Sequence, residues 1–278
     1  MGAPIDKLIF LGVGQVALSV HNLAESKFDM YGTTRSAEYF DELKLTGITP
    51  VKIESFSDSV SAEKISSLST DSRVIISFAP HLESDLAASK LVSSAKDIVY
   101  ISSTAVYGKM QGLVDETTEI DEDSPQSKSR LEAENIWRAI GAKVVRAPGI
   151  YGFDSGIHLR LLKGEYKLPG DGSNYVSRIH VNDLANIVLH ALDFGERGKI
   201  YLAGDLKPAT HIEVVEFLCK RLELPLPGSV PIEECHYTLR GNRQVNAEKS
   251  LRELGVQLQF PTYVEGYSAA INRFKPEV

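Results

Sequence analysis

The first half of the chain alternates short, almost continuous apolar runs with longer stretches whose apolar residues recur at helical spacing. Such runs are typical of parallel strands covered on both faces, and the longer stretches are typical of amphipathic helices. Strands are predicted at Leu8–Leu11, Phe28–Thr33, Thr49–Ile53, Val74–Phe78, Ile98–Ser102 and Lys143–Arg146. Helices are predicted between them at Gln15–Leu23, Ala37–Leu45, Ser59–Leu68, His81–Ser93 and Gln126–Ile140.

This alternation predicts an α/β fold with a Rossmann-type, doubly wound parallel sheet. We expect residues 1–152 to form this domain, and residues 176–210 to return to it. Residues 153–175 and 211–278 then form a smaller C-terminal substrate-binding region. The second half contains a loop-rich stretch at Gly152–Gly172, a strand at Lys199–Ala203 and helices at Asn182–Leu192, His211–Leu222, Asn246–Leu254 and Pro261–Arg273.

The pattern Gly-x-Gly-x-x-Ala follows the first predicted strand, with its glycines at Gly12 and Gly14. In such a turn, the first glycine makes the bend, the second lets the backbone approach a pyrophosphate, and the small third residue lets helix and strand pack closely. The next residues, Gln15 and Val16, open a helix whose N-terminal N–H groups attract an anion. The motif predicts a dinucleotide site, and the alternative is a glycine turn without a ligand.

The second cofactor signal lies where an NAD site places an acidic residue, about 20 residues beyond the glycines. Thr34 and Arg35 stand there, and Asp29 comes too early in the chain. A guanidinium binds a 2′-phosphate through two hydrogen bonds. We therefore expect NADP, with NAD as the less favoured cofactor. The alternative is a solvated Arg35 that opens the next helix.

The composition restricts the partners of the chain. A net charge of -7 without a cluster of basic residues argues against nucleic acid. The two cysteines do not form a Cys-x-x-Cys pair, so we expect no structural zinc and a reducing compartment. No apolar run approaches the length of a membrane span or of a signal segment. We expect a cytoplasmic monomer or homodimer that acts on a small molecule, with no metal.

Several segments carry a family resemblance. Tyr100–Gly108 is similar to the Ser-Ser-x-x-Val-Tyr-Gly segment of the extended short-chain dehydrogenases/reductases, the NAD-dependent epimerase/dehydratase-like proteins. Val145–Gly152 resembles their Arg-x-Pro-x-x-Tyr-Gly segment, and Arg178–Ala185 resembles the segment that contains His-Val-x-Asp-Leu-Ala. Arg240–Asn242 resembles part of their tail. The whole pattern is most similar to the atypical branch of this superfamily.

The resemblance and the predicted strand ends together imply a set of site residues. Ser103 matches the family's substrate-orienting hydroxyl, with a capping hydroxyl at a strand end as the alternative. Arg178 and Arg240 match positions near a substrate diphosphate, although an ion pair between Arg178 and Asp183 is the other interpretation. The residues expected at the cofactor, besides the two glycines and the residues named with them, are Ser77, Phe78, Ala79, Arg130 and Pro148.

The chain departs from the family at the catalytic position. None of its eleven tyrosines is followed by Lys four residues later, and the matching segment has Gln126 and Arg130 in place of Tyr and Lys. A glutamine amide is not a general acid at neutral pH. The Asp-Glu pair of the dehydratases is also replaced, by Thr104 and Ala105.

Two tyrosines are candidates for the missing acid. Tyr107 and Tyr151 both lie near the predicted cleft, where Arg130 or Lys128 is expected to lower a phenol pKa. The alternative for each is a packed aromatic ring with a bound hydroxyl. His180 is the next candidate, although a structural histidine is the favoured interpretation.

Two functions remain open from the sequence. One is an NAD(P)-dependent oxidoreductase or epimerase-like enzyme, with a non-standard acid/base set, that acts on a small polar or nucleotide-linked substrate. The other is a redox-inactive NADP(H)-binding sensor or regulatory protein.

Overall fold

A computed structural model describes residues 6–36 and 38–274 of the chain. The strands are β1 (Asp6–Leu11), β2 (Phe28–Thr34), β3 (Thr49–Lys52), β4 (Arg73–Ile76), β5 (Asp97–Ser103), β6 (Gln111–Val114), β7 (Lys143–Ala147), β8 (Gly149–Tyr151), β9 (Leu168–Pro169), β10 (Tyr175–Val176), β11 (Arg178–His180), β12 (Ile200–Leu202), β13 (Ala209–Thr210), β14 (Ser229–Val230) and β15 (Asn242–Val245). The helices are α1 (Gln15–Ala24), α2 (Glu38–Leu45), α3 (Ser59–Ser69), α4 (Leu82–Leu91), α5 (Pro125–Ala139), α6 (Ile157–Leu162), α7 (Val181–Phe194), α8 (His211–Leu222), α9 (Glu248–Leu254) and α10 (Tyr263–Phe274).

Seven strands form one parallel sheet in the order β12-β7-β5-β4-β1-β2-β3. The strand order reverses between β1 and β4, which are hydrogen-bonded neighbours. In a doubly wound sheet, ligands bind at this reversal, outside the carboxyl ends of the strands. The predicted fold class is therefore confirmed, and the sheet brings the ends of β1, β2 and β4 together.

The chain divides into two compact units. Unit 1 comprises the described residues up to Ser103, together with Lys128–Arg146 and Ala185–Tyr201. Unit 2 comprises Thr104–Ser127, Ala147–Leu184 and the residues from Leu202 onward. The stretch 104–127 thus lies in unit 2, although the sequence placed it in the dinucleotide-binding domain.

Unit 1 is held together by the apolar faces of its strands and the helices packed on them. The inward faces of β1, β4 and β5 are fully buried together with Trp137 of α5. A buried ion pair adds polar specificity, because Arg146 at the end of β7 donates to Glu134 of α5 at 2.7 Å. Ser102 of β5 donates to the same carboxylate at 2.6 Å. These contacts fix α5 against the carboxyl ends of two strands.

Unit 2 contains short strands that the sequence did not predict. A four-stranded sheet has the order β13-β10-β15-β6, and β8 pairs with β11 in a separate two-stranded ladder. The core of this unit packs α8 and α10 around Tyr151 and Tyr267. The predicted loop at residues 152–172 is interrupted by α6 and ends with β9.

Candidate functional site

The glycine turn after β1 is fixed by the ends of the neighbouring strands. Gly12 has a φ of +86°, in the left-handed region that favours glycine. Its N–H donates to Thr33 Oγ1 at 2.9 Å, and its carbonyl accepts from Ser77 Oγ at 2.8 Å. A Cβ on Gly12 would lie 3.3 Å from the Cβ and the backbone N of Phe78. The turn therefore requires glycine, and β2 and β4 hold it in place.

The N-terminus of α1 is open. Gly14 is its N-cap residue, and because glycine has no side chain, none caps the first turn there. A Cβ on Gly14 would meet nothing within 4 Å. Gln15 is exposed, whereas Val16 is buried and anchors the helix on the sheet. The N-terminal dipole of a ten-residue helix therefore opens onto free space, which fits a dinucleotide pyrophosphate.

Thr34 and Arg35 lie at the carboxyl end of β2, as a ribose-side site requires. Thr34 Oγ1 accepts from the Ser36 N–H at 3.2 Å, and this side-chain turn carries Arg35. Arg35 is exposed, in contrast to Thr33, which is buried beneath it. This arrangement leaves the guanidinium accessible to an anion.

The loop after β4 completes the strand ends of unit 1. Ser77 and Phe78 are half-buried and Ala79 is exposed. The Phe78 ring packs between Phe56, at a centroid distance of 5.2 Å, and Trp137, at 6.4 Å. The loop is thus anchored by its aromatic side chain, while its neighbour Ser77 supports the glycine turn.

Two more of the predicted residues lie in unit 1. Ser103 is the half-buried last residue of β5. Arg130 is half-buried on α5, and its Nη1 donates to the Tyr100 hydroxyl at 3.3 Å. Gln126 lies in the first turn of α5, but its side chain lies outside the part of the chain that the structure describes.

Tyr107 is a packed residue of unit 2. Its side chain is fully buried, and its hydroxyl donates to the Asp115 carbonyl at 2.8 Å. The ring follows β5 in a short 3₁₀ turn, Thr104–Tyr107. A buried phenol that donates its proton to a backbone carbonyl matches the alternative of a packed aromatic ring.

Tyr151 is buried too, and the expected lowering of its pKa is wrong. Burial, together with the neighbouring Tyr267, raises the pKa of this phenol well above its usual value. The two rings stack at a centroid distance of 4.2 Å. The Tyr151 hydroxyl is buried without a hydrogen-bond partner among the described residues. It lies against Gly266, where a Cβ would be 2.0 Å from the hydroxyl oxygen.

The two arginines expected at the substrate differ in their surroundings. Arg178 is buried and its Nη1 donates to the carbonyls of Val176 and Ala209, at 2.6 and 3.3 Å. Its Nη2 has no hydrogen-bond partner among the described residues. Arg240 is exposed, and its Nε donates to the Cys235 carbonyl at 2.8 Å. Both side chains are thus held by backbone carbonyls.

The alternative ion pair for Arg178 is not formed. Asp183 instead accepts the backbone N–H groups of Gln259 and Phe260, at 2.6 and 3.0 Å. Burial raises the pKa of the Asp183 carboxyl. The carboxylate therefore serves as a backbone cap inside unit 2.

The remaining candidate residues of unit 2 are structural or connecting. His180 is fully buried, its Nδ1 accepts from the Asn182 N–H at 3.2 Å, and burial lowers its pKa to about 4. Pro148 is the half-buried link between β7 and β8. A neutral, enclosed imidazole of this kind fits the structural interpretation of His180.

Sequence reasoning missed the residues that support the site. Thr33 holds the glycine turn, and Glu134 joins α5 to the ends of β5 and β7. Thr33 stood beside the predicted ribose residues, so its position was available as a signal. The ion pair of Glu134 with Arg146 could not be read from the sequence, because only the fold brings the two side chains together.

The structure holds no membrane-length helix in its described residues, since none combines sufficient length with an apolar sequence. Across the same residues, the His, Cys, Asp and Glu side chains form no group of three or more suited to a metal ion.

Comparison with known proteins relates part of the chain to a protein family. The family model described as NAD dependent epimerase/dehydratase family matches residues 83–204. No curated protein matches the chain in sequence.

Solved structures resemble the chain over almost its whole length. A functionally unknown conserved protein from Silicibacter pomeroyi DSS is 26% identical, with a TM-score of 0.83 over 96% of this chain and 99% of that one. The dTDP-glucose 4,6-dehydratase of Bacillus anthracis str. Ames, in complex with NAD, is 20% identical, with a TM-score of 0.80 over 98% and 97%. The UDP-glucose 4-epimerase of Thermotoga maritima, with UDP-glucose, is 17% identical, with a TM-score of 0.79 over 97% and 98%. The last two likenesses concern the fold.

Proposed function

We propose, from the match of residues 83–204 to the NAD dependent epimerase/dehydratase family model, that the protein is an NAD(P)-dependent oxidoreductase. Its substrate is a small polar or nucleotide-linked molecule. The observation that carries this proposal is the open N-terminus of α1 beside the strained glycine turn at Gly12. A turn fixed by two neighbouring strands and a helix end without a side-chain cap together suit a bound pyrophosphate.

The cofactor of this proposal is NADP, which accepts or donates a hydride at its nicotinamide ring when bound. Gly12 and Gly14 give backbone access to the pyrophosphate, and Thr34 and Arg35 take the ribose 2′-phosphate. The loop at Ser77–Ala79 supports the central part of the dinucleotide. Arg35 supports the choice of NADP, because it is exposed and no acidic residue stands beside it at the end of β2.

The substrate class follows from the relatives and from the buried arginine of unit 2. Two solved structures of similar fold are named for enzymes of nucleotide sugars. Arg178 keeps an Nη2 group without a hydrogen-bond partner in the described part of the chain, which favours an anionic group on the ligand. Arg240 adds an exposed positive charge. Ser103 orients the substrate oxygen through its hydroxyl.

Proton transfer in this function requires a titratable group, and both candidate phenols are enclosed by the protein. Tyr107 and Tyr151 are its proposed carriers, but one phenol is hydrogen-bonded to a carbonyl and burial raises the pKa of the other. These two observations favour the second candidate function, a dinucleotide-binding sensor or regulatory protein without redox turnover.

Turnover assays distinguish the two functions. The oxidation of NADPH is followed by absorbance in the presence of carbonyl compounds and nucleotide sugars, for the wild type and for Ser103→Ala, Tyr107→Phe and Tyr151→Phe. An enzyme shows turnover that Ser103→Ala lowers by about 10²–10³-fold, the range for one oriented donor. Tight NADPH binding without turnover of any tested compound supports the sensor.

A further inference from the structure

Arg130 is part of a polar chain that runs through the interior of unit 1. Its Nη1 donates to the hydroxyl of Tyr100, which lies three residues before Ser103 on β5. The Tyr100 ring is fully buried and stacks on Trp137 at a centroid distance of 6.0 Å. Trp137 Nε1 in turn donates to Asp85 Oδ1 at 2.7 Å. This series of contacts therefore connects α5, β5 and α4.

The charges of this network act on one another. Asp85 is fully buried, and its second oxygen accepts from the His81 N–H at 2.9 Å. Burial raises the pKa of the Asp85 carboxyl, and the Arg130 charge opposes this shift. Burial also raises the pKa of Tyr100 to about 12, so the phenol stays neutral and accepts the Arg130 hydrogen bond. Arg130 is consequently hydrogen-bonded to a neutral acceptor and interacts electrostatically with the buried Asp85 carboxyl.

The same network reaches the candidate cofactor loop. Trp137 packs against Phe78, and Phe78 fills the space that a side chain on Gly12 would need. Arg130 itself is half-buried, so part of the residue remains accessible. A side chain as long as arginine loses much rotamer freedom when it is held at one edge, which prepares its other N–H groups for a ligand.

We propose that Tyr100 and Asp85 are positioning residues for Arg130: the Tyr100 hydroxyl holds one edge of its guanidinium and the Asp85 carboxyl, fixed by Trp137 and His81, attracts its charge, so that the remaining N–H groups bind the dinucleotide. This inference rests on the proposed function. It assigns to two interior residues the orienting role that the absent Tyr-x-x-x-Lys pair leaves unfilled. Neither residue touches the ligand, so both act through Arg130.

A double-mutant cycle tests the proposal by calorimetric titration with NADPH and NADH. Tyr100→Phe removes the acceptor hydroxyl and is expected to weaken binding about 3- to 10-fold, the effect of one hydrogen bond of ordinary strength, because the hydroxyl acts on the ligand only through Arg130. Arg130→Met weakens binding by itself, and adding Tyr100→Phe to it changes the affinity no further. Asp85→Asn shows the same dependence on Arg130. Non-additivity of this kind separates positioning from a general structural effect.

The matched control is Tyr201→Phe. Tyr201 is buried in the same unit and accepts from the Glu196 N–H at 2.9 Å, at the β12 edge of the sheet. This variant loses a comparable hydrogen bond and is expected to leave both affinities unchanged. Equal losses for Tyr100→Phe with and without Arg130, or no loss in the wild-type background, overturn the positioning proposal alone. A wild type that binds neither dinucleotide overturns it together with the proposed function.

Discussion

At the scale of single residues, the proposed preference for NADP depends on Arg35. The side chain is exposed at the end of β2, and Thr34 shapes the turn that carries it. Arg35→Ala is expected to weaken NADPH binding by on the order of tenfold or more, as the loss of a charge-assisted contact of about 1.5–3 kcal/mol implies. NADH affinity stays unchanged, since that ligand lacks the 2′-phosphate. Calorimetry with both ligands measures this, and an equal loss for both contradicts the assignment.

Tyr151 illustrates a second property of single positions, the burial of a hydroxyl without a partner. Removing such a hydroxyl costs little, because a buried unsatisfied polar group is itself destabilising by about 1–3 kcal/mol. Tyr151→Phe is therefore expected to keep or raise the free energy of unfolding measured in urea. A loss of unfolding free energy above about 2 kcal/mol in Tyr151→Phe contradicts the burial of an unpaired hydroxyl at this position.

Gly266 leaves the space that the Tyr151 phenol occupies. A Cβ at this position would lie 2.0 Å from the Tyr151 hydroxyl oxygen. Gly266→Ala is therefore expected to destabilise the fold by about 1–3 kcal/mol, the usual range for overpacking. Gly164→Ala provides a glycine control without such a contact, although its φ of +69° carries its own strain. Urea unfolding of both variants checks the difference.

Local sequence revealed the turn glycines but not the surroundings of the tyrosines. Gly12 and Gly14 are recognisable because strand, turn and helix follow one another directly along the chain. The pKa of Tyr151 depends on Tyr267 and on burial against α10, which lies far away in sequence. A resemblance to a motif places a residue in the chain, but it does not say which distant side chains enclose it.

At the scale of elements, α1 offers a test that separates folding from binding. Gly14 occupies the N-cap position with an extended backbone, and there is open space for a Cβ. Asp is a favoured N-cap residue, and replacing glycine there changes helix stability by only a few tenths of a kcal/mol. Gly14→Asp is therefore expected to fold with at least the wild-type stability.

The same substitution places a carboxylate at the helix end that is proposed to bind the pyrophosphate. NADPH affinity is expected to fall by at least tenfold in Gly14→Asp, from like-charge repulsion and competition for the N–H groups. Gly14→Ala adds the same Cβ without the charge and is the matched control. Calorimetric titration measures both, and undiminished binding by Gly14→Asp contradicts a pyrophosphate at α1.

Elements with a continuous apolar run or a long periodic pattern were predictable, and the short strands of unit 2 were not. The six strands predicted in the first half and the helix at His211–Leu222 are confirmed, because their apolar faces pack against a core. The strands of the four-stranded sheet in unit 2 have two to four residues each. These strands lack the continuous apolar run by which β4, itself only four residues long, was recognised.

At the scale of the whole molecule, the stability of the fold depends on pH because three titratable groups are buried in unit 2. Burial raises the pKa of Asp205 to about 7, whereas burial lowers the pKa of His180 and His211 to about 4. For Asp205, the pKa is higher in the folded than in the unfolded protein. Its contribution to stability is therefore fully present below the pKa of the unfolded state and is lost as the pH rises toward 7. For His180 and His211, the pKa is lower in the folded than in the unfolded protein. Their contribution to stability is therefore present above the pKa of the unfolded state and is lost as the pH falls toward 4.

Asp205→Asn isolates the first effect. The side chain still accepts the Lys207 N–H through Oδ1, as the wild-type carboxyl does. Relative to the wild type, the variant is expected to gain roughly 2–3 kcal/mol of unfolding free energy between pH 5 and pH 8, at about 1.36 kcal/mol per pKa unit. For His180→Asn, the expected gain in unfolding free energy relative to the wild type appears as the pH falls below 6.5, which is the opposite pH dependence. Urea unfolding across this range tests both, and curves parallel to the wild type contradict the burial of these charges.

The whole account rests on a dinucleotide at the carboxyl ends of β1, β2 and β4, and calorimetric titration of the wild-type protein with NADPH and NADH tests this most directly. The account predicts one binding site per chain for each ligand, with NADPH bound on the order of tenfold more tightly, the effect of one charge-assisted phosphate contact. The absence of binding by either ligand would contradict the account.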